Sequence, residues 1–149
     1  MAADPQHVPH VQFREIVEAS FARQGLMKAL GGRLRRIEPG SVEIELPYSE
    51  VVTQQHGYFH AAAVAAIADN AGGYAALTLM RSDEEVVAAE FKINFLRPAV
   101  GRLLVAEATV LRLGRALVVS QATVRAMDGD NWKTVAVMLQ TNARVAANR

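Results

Sequence analysis

The most informative segment of the chain runs HAAAVAAIADNAGGYAALTLM from His60 to Met80. Alanine is the best helix former, so the segment predicts one long helix. About 21 residues at a rise of 1.5 Å each span about 30 Å, which is the width of a small domain. Because few charges lie along it, most of its circumference must be covered by protein. The segment therefore predicts a central helix around which a sheet is wrapped.

Upstream of this helix, the sequence predicts an amphipathic surface helix and a β-hairpin. From Val11 to Leu30 the apolar residues recur at helical spacing with charged residues between them. Gly31 and Gly32 end that pattern. Residues 33–47 form two short runs joined by a proline–glycine turn, with strict alternation in the second run, which is typical of a half-buried hairpin. The alternation of apolar and polar residues stops after Pro47, so residues 48–59 are predicted to form a loop.

Downstream of Ser82 and Asp83, everything has the pattern of strands. Ala89–Phe95 alternates apolar with polar residues, and the further strands are expected over 102–113, 116–127 and 132–142. The tight turn Asp128-Gly-Asp-Asn131 joins the last two. The order helix, two strands, buried helix, four strands predicts an α+β domain with an antiparallel sheet and an extra N-terminal helix. We expect a flexible leader over residues 1–10 and a single domain over 11–149.

Composition excludes several classes of function. The 149 residues are 51% hydrophobic and 21% charged, which is too apolar for a disordered chain, and the net charge of +1 offers no large field for a nucleic acid or an anionic membrane. The absence of cysteine removes thiol nucleophiles and cysteine metal sites. The N-terminal residues lack the pattern of a signal peptide, and the helix 60–80 contains Asp69 and Asn70, so a cytoplasmic protein without a membrane span is expected.

Self-association is also expected. The polar-looking face of the predicted sheet carries Leu96, Leu103 and Val119 among its charges, which is more apolar surface than water favours. A two-fold dimer, or a dimer of dimers, would cover it.

Two chemical features lie on the predicted central helix. The helix begins near His60, so the amides of Ala61, Ala62 and Ala63 are expected to lack partners and to point outward with the positive end of the helix dipole, where they could hold an oxyanion. Asp69 is a carboxylate in the covered part of the helix. It lies nine residues, or about 13 Å, beyond His60. A single site would therefore need the helix start of one subunit and Asp69 of another.

Each feature also has a purely structural interpretation. Asp69 could accept hydrogen bonds from a neighbouring strand, His60 could be an ordinary residue at a helix start, and Gly57 could serve only as a turn. The histidines near the helix lack a second carboxylate at ligand spacing, so we predict no metal site.

The segment 54–71 resembles a known family, the hot-dog-fold acyl-CoA thioesterases of the PaaI-like (phenylacetate-pathway) type. The family signature Asn-x-x-Gly-x-x-His-Gly-Gly corresponds here to Gln54-x-x-Gly57-x-x-His60-Ala61-Ala62. It is followed by an acid in Ala68-Asp69-Asn70-Ala71, and the strand Ile93–Ala99 is similar to the family strand after the helix. The resemblance covers about residues 31–142.

The resemblance implies a role for each matched position in the hydrolysis of a thioester to a carboxylic acid and free coenzyme A. Asp69 would be the nucleophile or general base, the Ala61 amide would stabilise the oxyanion, Gln54 would orient water or the carbonyl, and His60 would polarise the thioester or hold the loop. The family needs no cofactor besides the coenzyme A of its substrate. The expected substrate-binding residues are Gly57, Tyr58, Phe59, Tyr74, Arg97 and Arg115. The aromatic residues would line an apolar acyl tunnel between subunits, and the arginines would contact phosphates of coenzyme A.

Three positions differ from the family pattern. Ala61 and Ala62 replace two glycines, Gln54 is one methylene longer than asparagine, and Ala88 replaces a strand hydroxyl. These differences indicate a different acyl group, a slower enzyme or a chain without catalysis. Two alternatives to a thioesterase therefore stay open, a non-catalytic acyl-CoA or lipid-binding module and a hot-dog enoyl-CoA hydratase or dehydratase.

Overall fold

A computed structural model of the chain describes residues 10–148. The elements follow the order α1 (Phe13–Ala22), α2 (Gly25–Leu30), β1 (Arg33–Glu38), β2 (Ser41–Pro47), α3 (Ala61–Leu77), β3 (Glu84–Phe95), β4 (Leu103–Leu113), β5 (Leu117–Asp128) and β6 (Asn131–Ala146). The predicted α+β class and order of elements are thus confirmed. Residues 1–9 of the expected leader lie outside the described residues.

One antiparallel sheet of six strands, in the order β1-β2-β4-β5-β6-β3, wraps around α3. Alternate residues of the strands point at the helix, as Val42, Ile44 and Leu46 of β2 do, and these are fully buried. The helix contributes small residues on nearly all sides, with Ile67, Ala68 and Ala71 inaccessible to solvent. This is the hot-dog fold, with α3 as its central helix.

The predicted N-terminal helix is wrong in one respect, because two helices replace the single helix expected over 11–30. Gln24 has extended backbone angles (φ −76°, ψ 112°) and interrupts the helix just before Gly25, which is a weak helix former. The side-chain Nε2 of Gln24 donates to the hydroxyl of Tyr74 on α3 at 2.7 Å. The break therefore coincides with a contact that ties the N-terminal helices to the central one.

Other boundaries differ by a few residues. The central helix ends at Leu77 rather than Met80, and the last strand continues to Ala146 rather than Asn142, because its end pairs with the start of β3. The predicted loop 48–59 contains a short 3₁₀ turn, Glu50–Val52, and one bridge between Thr53 and Phe59.

The two edges of the sheet differ in character. The outer strand β1 is short and carries Arg33 and Arg35. The outer strand β3 is 12 residues long and leaves Val87, Phe91 and Phe95 about half exposed. Within residues 10–148 no strand pairs with the outer side of β3, and a long edge with exposed apolar side chains is a surface on which another strand can pair. Of the three residues for which exposed apolar surface was predicted, Leu96, just beyond this strand, is 52% exposed, whereas Leu103 and Val119 are partly buried.

Candidate active site

The start of α3 lies in a cleft of about 590 Å³ that we call the amide cleft. Apolar side chains from the loop and from the end of β3 form much of its wall. Six of the predicted site residues line it, namely Gln54, Tyr58, Phe59, His60, Ala61 and Arg97. The structure thus brings together most of the predicted loop and helix-start residues.

The amides at the helix start are not all free, so the expectation for Ala61–Ala63 needs correction. Ala62 N–H donates to Nδ1 of His60 at 2.9 Å, and Ala63 N–H donates to the carbonyl of His60 at 2.9 Å. His60 is therefore the N-cap of α3. Within residues 10–148, the amide of Ala61 has no acceptor, and Ala61 is exposed. Ala61 lines the amide cleft, so among the described residues the positive end of α3 brings one backbone donor without an acceptor to this cleft.

The loop before the helix is held by its own hydrogen bonds. Oε1 of Gln54 accepts from the backbone N–H of His56 at 2.5 Å and of Tyr58 at 3.3 Å. Gly57 has a φ of +79°, which favours glycine, and its carbonyl accepts from the hydroxyl of Tyr48 at 3.0 Å. Gln54 and Gly57 thus shape the loop that forms one wall of the amide cleft.

Asp69 lies two turns further along α3, in a second cleft of about 310 Å³ that we call the carboxylate cleft. Tyr74 shares this cleft, and so does Ala88, the position where the resembled family carries a hydroxyl. Burial raises the pKa of Asp69, and a hydrogen bond from Gln140 opposes that rise. Tyr58 and Phe59 line the amide cleft and Tyr74 lies in the carboxylate cleft, so a tunnel lined by all three would run between subunits, as the sequence predicts.

Asp69 accepts a hydrogen bond from a neighbouring strand, as its purely structural interpretation predicted. It also lines a cleft, as a catalytic role requires. Nε2 of Gln140, on β6, donates to Oδ1 of Asp69. Sequence reasoning missed Gln140, although one signal was available. Gln140 and Ser120 occupy strand positions whose neighbours two residues away, such as Met138 and Ala122, are buried and apolar.

The two clefts do not meet within one subunit. Eight residues of helix separate Ala61 from Asp69, which corresponds to about 12 Å along the axis. Arg115 lines neither cleft, since it lies exposed in the turn between β4 and β5. Within the described residues, no group of three His, Cys, Asp or Glu side chains is placed to hold a metal ion, and no helix has both the length and the apolarity to cross a membrane.

Comparison with known proteins identifies the class of protein that this fold and site define, the hot-dog-fold thioester hydrolases. Residues 56–133, just over half of the chain, match the Thioesterase superfamily. The chain belongs to this superfamily, and the resemblance to the PaaI-like members is confirmed.

Individual relatives agree with this assignment. A thioesterase family protein from Silicibacter pomeroyi has a crystal structure that is 40% identical, covers 91% of this chain and 99% of its own, and superposes with a TM-score of 0.89. A protein of Saccharolobus solfataricus that is provisionally named an esterase is 33% identical over 104 residues, which is 70% of this chain and 74% of its own length. The PaaI protein of E. coli shares the fold, with a TM-score of 0.79 at 23% identity over 90% of this chain and 94% of its own.

Proposed function

We propose that the protein is an acyl-CoA thioesterase whose active site combines the amide cleft of one subunit with the carboxylate cleft of its partner. The observation that carries this proposal is the amide of Ala61. Among the described residues it has no acceptor, it lies at the positive end of a helix, and Ala61 lines a cleft of about 590 Å³. Membership of the Thioesterase superfamily supplies the reaction class for which such a donor is suited.

The chemistry needs one oxyanion donor and one carboxylate. The thioester carbonyl oxygen would accept from Ala61 N–H, so that the negative charge of the tetrahedral intermediate is stabilised where it forms. Asp69 of the partner subunit would either take a proton from the attacking water or attack the carbonyl carbon itself, with water then hydrolysing the mixed anhydride. In both routes the carbon–sulfur bond breaks, the thiolate leaves and is protonated, and Asp69 is regenerated.

Two subunits are required because about 12 Å of helix separates the donor from the carboxylate. Pairing of the long β3 edge with a second copy would cover Val87 and Phe91 and join two sheets. Phe95, at the end of the same strand, lines the amide cleft, and Ala88 on this strand lines the carboxylate cleft. The strand that would form the dimer therefore touches both halves of the proposed site. Two such dimers would form a dimer of dimers.

The substrate would be divided between polar and apolar walls. Arg97 is exposed at the amide cleft, where its guanidinium can contact a phosphate of coenzyme A. Tyr58 and Phe59 offer apolar surface to an acyl group in the same cleft. Arg115 remains a second candidate for phosphate contact, outside both clefts. Gln54, whose Oε1 is occupied by loop amides, would use Nε2 to orient water or the carbonyl.

The test is thiol release from a panel of acyl-CoA thioesters with the wild-type protein and two variants. Asp69→Asn removes the carboxylate and should lower kcat by about 10²- to 10⁴-fold. Asp83→Asn is the matched control, because Asp83 is exposed, pairs with Arg81 and lies outside both clefts. Saturable acyl-CoA binding without thiol release by the wild type would indicate a binding module instead. Full activity of Asp69→Asn would contradict the assignment of the carboxylate.

A further inference from the structure

Gln140 lies almost wholly out of solvent and contacts Asp69 twice. Its side chain is 2% exposed on the helix-facing side of β6. Nε2 donates to the carboxylate Oδ1 of Asp69, and the same nitrogen lies 3.3 Å from the backbone carbonyl oxygen of Asp69. Among residues 10–148, Gln140 is the single side chain that donates a hydrogen bond to this carboxylate. The side chain of Gln140 on β6 thus binds one carboxylate oxygen of Asp69, and Oδ2 is left for other partners.

The orientation of the Gln140 amide follows from the carboxylate and carbonyl oxygens of Asp69, which can only accept, and Ser120 on the neighbouring strand stabilises it. The hydroxyl of Ser120, which is fully buried, donates to Oε1 of Gln140 at 3.3 Å. The two residues are direct partners in the β5–β6 register. Nε2 therefore faces Asp69, and the hydrogen bond from Ser120 holds Oε1 on the other side. The reversed amide would set its oxygen against the carboxylate.

Gly72 provides the space for this arrangement. A Cβ at this position would lie 2.0 Å from Oε1 of Gln140 and 2.9 Å from the hydroxyl of Ser120. Any side chain at Gly72 would therefore displace Gln140. The adjacent Gly73 is different, since a Cβ there would meet its nearest neighbour, Oδ1 of Asn142, at an ordinary 3.9 Å.

We propose that Gln140 is a positioning residue that, seated by Ser120 and Gly72, holds Asp69 by one carboxylate oxygen and directs the other to the substrate. This inference rests on the proposed function, because it assumes that Asp69 is the reacting carboxylate. It gives a role in catalysis to three buried residues outside the amide cleft, namely Gly72 on α3, Ser120 on β5 and Gln140 on β6.

Electrostatics supports the same role. Burial raises the pKa of Asp69 and the hydrogen bond from Gln140 opposes that rise. The titratable groups that share the cleft are Glu85 on β3 and Tyr74 on α3, while α1, the α1–α2 connection and β6 present Ser20, Gln24 and Asn142, which are uncharged. Neither titratable neighbour is a cation that could replace the Gln140 bond. Loss of this bond should therefore raise the pKa of Asp69 further.

The experiment follows the Asp69 carboxyl directly by ¹³C NMR over a pH titration. The chain has five aspartates, Asp4, Asp69, Asp83, Asp128 and Asp130, so Asp69→Asn identifies the resonance. Gln140→Met keeps the length of the side chain and removes the donor. Gly72→Ala displaces Gln140 without changing it. Gly25→Ala is the control for the higher helix propensity of alanine, because Gly25 lies in α2, lines neither cleft and has no atom within 4 Å of an added Cβ.

Gln140→Met and Gly72→Ala should both move the Asp69 titration to higher pH, whereas Gly25→Ala should leave it in place. In thiol release, Gln140→Met should lower kcat by about 10- to 100-fold with little change in KM, and the acidic limb of the kcat profile should move to higher pH. An Asp69 titration in folded Gln140→Met identical to that of the wild type would overturn the proposal. Full activity of Asp69→Asn would instead overturn the proposed function, whatever the titration shows.

Discussion

The amide cleft and the carboxylate cleft lie on the same helix, yet they are built in opposite ways. The reactive group of the amide cleft is a backbone N–H, and a backbone donor is the same whether the residue is glycine or alanine. The reactive group of the carboxylate cleft is a side chain, whose orientation depends on Gln140, Ser120 and Gly72 from three separate elements. The first half of the site should therefore tolerate changes of side chain that the second half does not.

Exchange of Ala61 for proline tests the backbone half, and among changes that leave Asp69 in place it should have the largest effect on kcat. Proline removes the one N–H in question and is well tolerated at the first position of a helix. His60 has φ −65° and ψ 139°, which a residue before proline readily adopts. We expect kcat to fall by about 10²- to 10³-fold, as for the loss of one oxyanion donor. Ala61→Gly keeps the N–H, so its kcat should fall far less. Equal rates of thiol release by Ala61→Pro and Ala61→Gly would contradict the role of this amide.

A mixed dimer tests whether the two clefts act together across subunits. Ala61→Pro and Asp69→Asn should each be nearly inactive alone. When the two chains are co-expressed with different tags and the heterodimer is purified, one of its two sites regains both groups, so about half of the wild-type activity should return. If each site belonged to one chain, both sites would stay defective and no activity would return.

The sequence predicted the architecture well because the signals are local. The alanine-rich segment, the alternation in β2 and the turn at Asp128 are each read within a few residues, and all three are confirmed. The contact of Gln140 with Asp69 joins residues 71 positions apart, so only the fold reveals it. The sequence also could not predict that the His60 side chain accepts from the Ala62 N–H, because this hydrogen bond depends on the rotamer of His60. Buried polar residues in alternating strands were the available clue to Ser120 and Gln140.

A smaller effect is expected at the rim of the amide cleft. Arg97 is exposed there, and an exposed ionic contact is worth at most about 1 kcal/mol, or about 5-fold in affinity. Arg97→Ala should raise KM for acyl-CoA by about 2- to 5-fold and leave kcat nearly unchanged, since the phosphate lies far from the reacting carbon. Arg115→Ala provides the comparison outside the cleft. If Arg115→Ala raised KM more than Arg97→Ala did, the phosphate would be assigned to the β4–β5 turn instead of the amide cleft.

The smallest expected effect is on the stability of the folded protein. It distinguishes the half-buried Asp69 of the carboxylate cleft from an exposed aspartate. Because burial raises the pKa of Asp69, its ionised form is disfavoured in the folded protein. The stability that the protonated acid contributes is complete below the unfolded pKa of about 3.9 and is lost as the pH rises through the folded pKa. Asparagine stays neutral, so Asp69→Asn should gain in melting temperature relative to the wild type between pH 3 and pH 7, on the order of a few degrees. Asp83→Asn, at an exposed position, should show no comparable gain over that interval. A constant difference between Asp69→Asn and the wild type at both pH values would mean that Asp69 titrates as it does in the unfolded chain.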